Sequence, residues 1–465
     1  MPEKYHIETI HIPPRLPRIG KYGIIDWRED CARCHNCVKK ACIYDKYREE
    51  SKFINSLDSI HTIYFECMGC FSCVQNCTKG LLCLTVNPEY KKLGNEYWTP
   101  EILRTTWLQA ETGKVPVSGA GYRGKFYGPG FDSMWTDMSE IVRPTRDGIH
   151  GREYISTAVD MGRKPSFLTF NGDKMNSSLY SLLSVPLPVI FDMPSPVHTL
   201  PKLEPLIIEA ARRTGLIAII DSEKWILLKD YDEKYLSHIA FHLNPDNHNI
   251  PGEILKKTRL AEIPYSNLVN EHITAIKNIN PDIVVSVRLP LTSRSINQSL
   301  QLTKSNVEVI HLVADLNGNE LNTKNPRFIK DMIRDIHGNL IKNEIRDEVT
   351  IIAGGGIGLP EHLAKAVICG ADLVSINLPL LIALECRLCS SCNPGDYCPS
   401  ALDKDIDIDY GAGRMVNLMG AWHWQLVEVM GAMGMREARR LRGDVGRAMF
   451  YEELQNEIYG PIFST

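Results

Sequence analysis

Twelve of the 14 cysteines in this 465-residue chain fall in three short clusters, and no other feature restricts its possible folds so strongly. The first cluster reads C-x-x-C-x-x-C with a fourth cysteine close behind: Cys31, Cys34, Cys37 and Cys42. The second repeats it as Cys67, Cys70, Cys73 and Cys77, and the third is Cys386, Cys389, Cys392 and Cys398. Three thiolates spaced three residues apart can wrap a loop around one cubane, each reaching a different iron. A fourth ligand must then arrive from elsewhere, and in two-cluster ferredoxins it comes from the other motif. The spacing predicts one 4Fe–4S cluster on Cys31, Cys34, Cys37 and Cys77, and a second on Cys67, Cys70, Cys73 and Cys42.

Two other uses of cysteine compete. Disulfide frameworks suit small secreted domains, which this chain does not resemble. Zinc sites pair C-x-x-C units across a longer stretch and seldom place three cysteines in one seven-residue loop. The third cluster keeps the ferredoxin spacing and ends in Cys398-Pro399. Four local thiolates there suit a 4Fe–4S cluster, three suffice for a 3Fe–4S one, and a zinc knuckle is the alternative. Cys83 and Cys369 stand apart and are expected to pack as small hydrophobes.

Composition narrows the class. Hydrophobic residues make up 44% of the chain, enough for packed cores, and Lys+Arg 52 against Asp+Glu 56 gives a formal charge of −4. Disorder and collagen-like character are excluded on these grounds. The mild acidity gives no reason to expect nucleic acid. No apolar run approaches the ~20 residues that span a bilayer, and the first residues, MPEKYHIETI, carry no apolar signal core. A cytoplasmic location is expected.

Along the chain, residues 1–20 read as an extended arm with Pro13, Pro14 and Pro17. A ferredoxin-like module with both 4Fe–4S motifs is expected over 21–95, and a Gly- and Pro-punctuated connector over 96–165. From 166 to 383 short apolar runs alternate with helical patterns. The runs are PVIFDM (188–193), LIAII (216–220), HIAFHL (238–243), DIVVSV (282–287), VIHLVA (309–314), TIIAG (350–354) and DLVSI (372–376). Helices are expected over Glu204–Thr214, Asn267–Asn278 and Pro360–Cys369. This βα repetition predicts an α/β fold, a closed (β/α)8 TIM barrel, with a doubly wound open sheet as the alternative. Residues 384–465 hold the third cysteine loop and C-terminal helices.

The sharpest signal without cysteine is TIIAGGGIGLPEHLAKAVICGADLVSI. It reads strand, glycine turn, helix opening at Pro360, exit at Gly370, strand. Gly354, Gly355, Gly356 and Gly358 allow backbone N–H groups to point at an anion at the helix N-terminus. A flavin mononucleotide phosphate is the expected occupant, and a tight turn bound to nothing is the alternative. Gly119, Gly121 and Gly124 spell the dinucleotide fingerprint G-x-G-x-x-G, but the continuation Lys125–Gly130, with Pro129 inside it, cannot open the helix that fingerprint needs. From Gly411 to Arg447 the chain is helical in composition, with Met415, Leu418, Met419 and Trp422 at core spacing. The basic run Arg436–Arg447 is expected to be a solvated face.

Three stretches carry a resemblance. Met134–Lys164 (MWTDMSEIVRPTRDGIHGREYISTAVDMGRK), the GGGIGLPEHLAKAVICGADLV turn, and Arg414–Asp444 (RMVNLMGAWHWQLVEVMGAMGMREARRLRGD) resemble the archaeal-type glutamate synthase family. The resemblance implies a ferredoxin module before an FMN-binding barrel. It also implies a third cluster beside the flavin on the Cys386–Cys398 loop, and electrons passing through clusters to FMN, which reduces the imine of 2-oxoglutarate and ammonia. Where the family has glycine-rich loops close to flavin and substrate, this chain has Asp192–Val197, Leu216–Asp221, His242–His248 and Asp315–Glu320. The family's middle-strand lysine corresponds to Arg288. The glycine turn, including Gly370, and secondarily Arg288 are the flavin-binding positions the resemblance carries over. The family's large bacterial members use an N-terminal cysteine to release ammonia from glutamine; Pro2 stands here, so ammonia is expected from solution or a partner.

Two classes of function follow. One is a redox enzyme or subunit, with glutamate formation as its narrower form, in which flavin joins one- and two-electron steps. The other is an electron-relay subunit with an empty barrel. Both call for a redox partner protein or reductase subunit and suggest an oligomer or complex; neither calls for nucleic acid or a membrane span.

Overall fold

The computed structural model describes residues 5–25, 34, 43, 70–80, 83–115, 128–136, 154–164, 170–175, 182–194, 203–224, 233–244, 252–389, 392 and 397–463. The chain forms two units. One comprises Pro13–Arg104 with Glu385–Ser391; the other comprises Met1–Ile12, Thr105–Leu384 and Cys392–Thr465.

In the smaller unit, strand Tyr22–Ile25 pairs antiparallel with Cys83–Val86, Tyr22 opposite Val86 and Ile25 opposite Cys83. This staples together the two ends of the segment that carries both ferredoxin motifs. A helix follows at Pro88–Lys91: Asn87 caps it by accepting from the Glu89 N–H, and Pro88 stands where a missing N–H costs nothing. A short helix, Ser72–Gln75, carries Cys73.

The larger unit holds a closed barrel of eight parallel strands. They are β1 (Val189–Phe191), β2 (Ala218–Asp221), β3 (Ile239–His242), β4 (Leu260–Pro264), β5 (Val284–Pro290), β6 (Val309–Val313), β7 (Thr350–Gly354) and β8 (Leu373–Ile376). Each is followed by a helix: α1 (Leu203–Thr214), α2 (Glu233–Leu236), α3 (Gly252–Leu255), α4 (Val269–Ile279), α5 (Ser295–Lys304), α6 (Ile329–Lys342), α7 (Pro360–Cys369) and α8 (Leu378–Ala383). β8 closes on β1 through Ser375 opposite Ile190. The open-sheet alternative is thereby excluded.

Seven strands stand where the apolar runs predict them, and the eighth, β4, comes from the sequence LAEIP, which the apolar-run reading passes over. A glutamate and a proline break its hydrophobic run, and only the lumen explains the glutamate. The helices follow ordinary amphipathic logic. In α6, Ile329, Met332, Ile333, Ile336 and Leu340 recur on one face and are buried. α7 ends at Gly370, whose φ of +121° suits only glycine and whose missing side chain makes room for the His337 ring.

Helix α9 (Ile408–Ala432) is capped by Asp407, which accepts from the Tyr410 N–H at 2.8 Å. Met415, Leu418, Met419 and Trp422 are buried, as their spacing predicts. Arg414, also buried, donates to the carbonyls of Ala383 (2.6 Å) and Ile12 (3.1 Å), meeting the orphan carbonyl at the end of α8. A last helix, α10, spans Tyr451–Phe463.

A buried charge cluster stands at the start of β8. Arg346 donates to Asp372 and to the Gly370 carbonyl, each at 2.7 Å, and to His337 Nδ1 at 3.0 Å; Arg442 reaches Asp372 at 2.9 Å. Burial, and then the neighbouring Arg346 and Arg442 charges, push His337 down to about 4. Burial raises the Asp372 carboxyl, but the two guanidinium groups outweigh it and hold the carboxyl below its usual range. The basic run at 436–447 is only partly a solvated face: Arg439 pairs with Asp160, Arg442 with Asp347 and Asp372, and Arg447 donates to the Met433 carbonyl. Among the described residues no helix is long and apolar enough to cross a membrane.

Candidate functional site at the barrel mouth

Side chains of β1 and β5 stand on opposite sides of the barrel, so they can touch only through its lumen. Arg288 of β5 does so, forming a bidentate pair with Asp192, the residue after β1, at 3.1 and 2.7 Å. The same guanidinium donates to Glu262 of β4 at 2.9 Å. Glu262 is a hub. It also faces His242 Nδ1 of β3 at 3.1 Å and His311 Nδ1 of β6 at 2.7 Å. His311 Nε2 in turn lies 2.7 Å from the Ser375 hydroxyl of β8. One hydrogen-bonded chain thus crosses the lumen from Asp192 to Ser375 and draws on five of the eight strands and on the residue after β1. TIM-barrel interiors are ordinarily filled by branched apolar side chains, so a polar layer here calls for a reason beyond packing.

Its electrostatics follow from burial. Glu262 and His311 are wholly buried, whereas Arg288 and His242 keep 25% and 27% of their side chains exposed. Burial alone would raise the Glu262 carboxyl; His311, Arg288 and the hydrogen bonds from His242 and His311 outweigh it and hold it well below the usual range. Burial would likewise lower the Arg288 guanidinium, but the facing carboxylates of Asp192 and Glu262 raise it further. Each partner is thereby held toward its charged form.

The glycine turn borders this layer. Gly354 lies opposite Ser375 in the sheet, and a Cβ there would run into the Ser375 hydroxyl and the His311 ring. Gly355 (φ +103°) and Gly356 (φ +69°) back onto the loop after β6: their added Cβ atoms would meet the Asp315 carbonyl and the Gly318 Cα. Gly358 donates its N–H to His362 Nδ1 at 3.1 Å. α7 then opens at Leu359 with no side-chain cap and Pro360 in its first turn. Gly370 lies at the other end of α7, some 15 Å on at 1.5 Å per residue, and is not brought to this turn.

Of the ferredoxin cysteines, Cys34, Cys70, Cys73 and Cys77 are described, and Cys31, Cys37, Cys42 and Cys67 lie outside the described residues. Cys386 and Cys389 belong to the smaller unit, where the Cys386 sulfur accepts from the Leu388 N–H at 3.5 Å; Cys392 and Cys398 belong to the larger. Among the described residues no group of three or more His, Cys, Asp or Glu side chains is arranged to hold a metal ion. Glycines 119, 121 and 124 lie outside the described residues. Cys369 is buried beside Met134 at 3.6 Å, and burial pushes its thiol up to about 12, which fits the packing role expected of it. Sequence reasoning picks out Arg288 but misses Asp192, Glu262, His242, His311 and Ser375. Polar residues set within or at the end of otherwise apolar strands are the signal that could have found them.

A family model described as the conserved region in glutamate synthase matches residues 255–436. The archaeal-type glutamate synthase [NADPH] of Dehalococcoides mccartyi is 23% identical over 90% of this chain and 93% of its own length. The archaeal glutamate synthase [NADPH] of Archaeoglobus fulgidus is 23% identical over 94% of this chain and 96% of its own. Along most of its length this chain is similar to the archaeal-type glutamate synthases. A stretch of 141 residues reaches 34% identity with the Methanocaldococcus jannaschii protein of that name, over 28% of each chain. Among solved structures, a lactate oxidase of Pediococcus acidilactici covers 73% of this chain and 92% of its own at 14% identity and a TM-score of 0.40. The family match runs from α3 to just beyond α9.

Proposed function

We propose that this chain is a glutamate synthase-like iron–sulfur oxidoreductase in which cysteine-held clusters exchange electrons with a flavin mononucleotide at the barrel mouth. The observation that carries the reading is the cysteine pattern: three C-x-x-C-x-x-C loops in one chain, two of them in a segment whose ends are stapled by a two-stranded sheet. Zinc or disulfides account poorly for that repetition.

The donor set at the mouth suits a flavin in kind. The first turn of α7 has no side-chain cap, so the helix N-terminus presents positive potential to a phosphate, and Arg288 offers a cation to the ring. Bound flavin would supply the junction between one-electron and two-electron chemistry. The chain's own residues do the rest. Asp192 and Glu262 fix the Arg288 guanidinium, and His311 and Ser375 fix Glu262. His242, hydrogen-bonded to Glu262 and partly exposed, is placed to hold or release a proton at the mouth. A separate redox partner supplies or drains the electrons, and the setting is the cytoplasm.

A second reading, an electron relay with no flavin, is favoured by one observation: Gly354 to Leu359 are buried by the chain itself, largely under the loop after β6. Anaerobic purification with iron and acid-released flavin measured on one sample separates the two. About 12 iron atoms per chain, the content of three 4Fe–4S clusters, with near-stoichiometric FMN supports the first reading. Iron without flavin, even after incubation with FMN, supports the relay. A colourless zinc protein defeats both.

A further inference from the structure

The donors of Arg288 can be counted. A guanidinium has five N–H groups. Both on Nη1 are engaged, one by Asp192 and one by Glu262, and Nη2 gives one to Asp192. Among the described residues nothing takes the Nε–H or the second Nη2–H. These two lie side by side, and a quarter of the side chain is exposed. Such an edge matches a planar group with two adjacent acceptors.

The charge of that group is decided by what already surrounds the cation. An anion on the free edge gains one attraction to the guanidinium and meets two repulsions, from Asp192 and Glu262 on its other two edges. Both carboxylates are buried, where solvent screens little. An uncharged acceptor edge meets no such opposition. We propose that Asp192 and Glu262 determine the charge of the ligand this mouth accepts: by cancelling Arg288 they admit an uncharged planar acceptor edge and resist negative charge placed on it. This rests on the proposed flavin reading. It adds that the bound ring is hard to charge negatively and that a free carboxylate substrate does not dock on Arg288.

Sulfite tests this without any assay of turnover. It adds through sulfur to the flavin N5, and the electron pair it brings ends as negative charge along the N1–C2=O edge. Addition at N5 breaks the conjugation of the oxidised ring and so bleaches its visible absorbance. On the full chain loaded with FMN, millimolar sulfite is expected to leave wild type essentially unbleached. Asp192→Asn and Glu262→Gln each remove one compensating charge while keeping the shape, and each should bind sulfite at least tenfold more tightly. Bleaching of wild type at micromolar sulfite overturns the proposal by itself, even if neither variant folds. Folded variants with wild-type sulfite affinity overturn it as well. Failure of the chain to take up FMN at all defeats the flavin reading, and this inference with it, and the iron and flavin analysis identifies that case separately.

Discussion

Glu262 shows how much one side chain can hold. Its carboxylate is buried among Arg288, His242 and His311, and Ser286 stands 3.5 Å away. Removing one partner of a buried ion pair leaves the other uncompensated, at a cost of about 3–5 kcal/mol. Glu262→Ala is therefore expected to lower the unfolding free energy by about that amount, measured by chemical denaturation. Glu262→Gln, which keeps the shape and part of the hydrogen bonding, should cost less. His337 gives a prediction about pH. Its pKa is about 4 in the fold and about 6.5 in an unfolded chain. Between these values the unfolded chain binds a proton that the folded one refuses. The stability contributed by neutral His337 is therefore complete above about pH 6.5 and is lost progressively as the pH falls to about 4. The melting temperature should decline over that window, and His337→Gln should flatten the decline.

At the scale of elements, the glycine turn and helix α6 make opposite predictions for the same change. Gly356 has φ +69°, and its Cβ would lie 2.8 Å from the Gly318 Cα, backbone against backbone. Gly356→Ala should destabilise by about 1–3 kcal/mol, the range for a strained backbone residue. Gly338, inside α6, has nothing within 4 Å of its Cβ position, so Gly338→Ala should stabilise by about 0.5–1 kcal/mol. Thermal melts of the two variants would check both signs. Most of the barrel strands are legible in the sequence, because β-branched runs such as TIIAG and VIHLV leave little choice, and Pro360 and Gly370 bracket α7. β4 was not legible: its run is interrupted by Glu262, and short runs are judged on apolarity alone. The lumen contacts were illegible for a related reason. His311 and Ser375 are 64 residues apart, and only barrel closure brings them within hydrogen-bond reach. The expected flavin positions split the same way. The turn from Gly354 to Gly358 is contiguous in sequence and in space, whereas Gly370 belongs to the far end of α7.

For the whole molecule, the cysteine pattern predicts a division of labour that spectroscopy can test. Cys34→Ser should remove one of the two ferredoxin-type EPR signals of the reduced protein while leaving the barrel's cooperative melt intact. Survival of both signals would refute the ligand assignment. A barrel that no longer melts cooperatively would show that the fold depends on a cluster. The staple between Tyr22–Ile25 and Cys83–Val86 is formed by backbone pairing.

The strand that the apolar pattern hides has one further consequence. Residues on a strand face alternately in and out, so sliding β4 by a single position against its neighbours would send Glu262 among the surrounding helices and turn Ala261 or Ile263 inward. One slip would break the links to Arg288, His242 and His311 together. The mouth is thus wired through a single register. Sequence drift can reshape the loops above it gradually, but it cannot shift that strand by degrees.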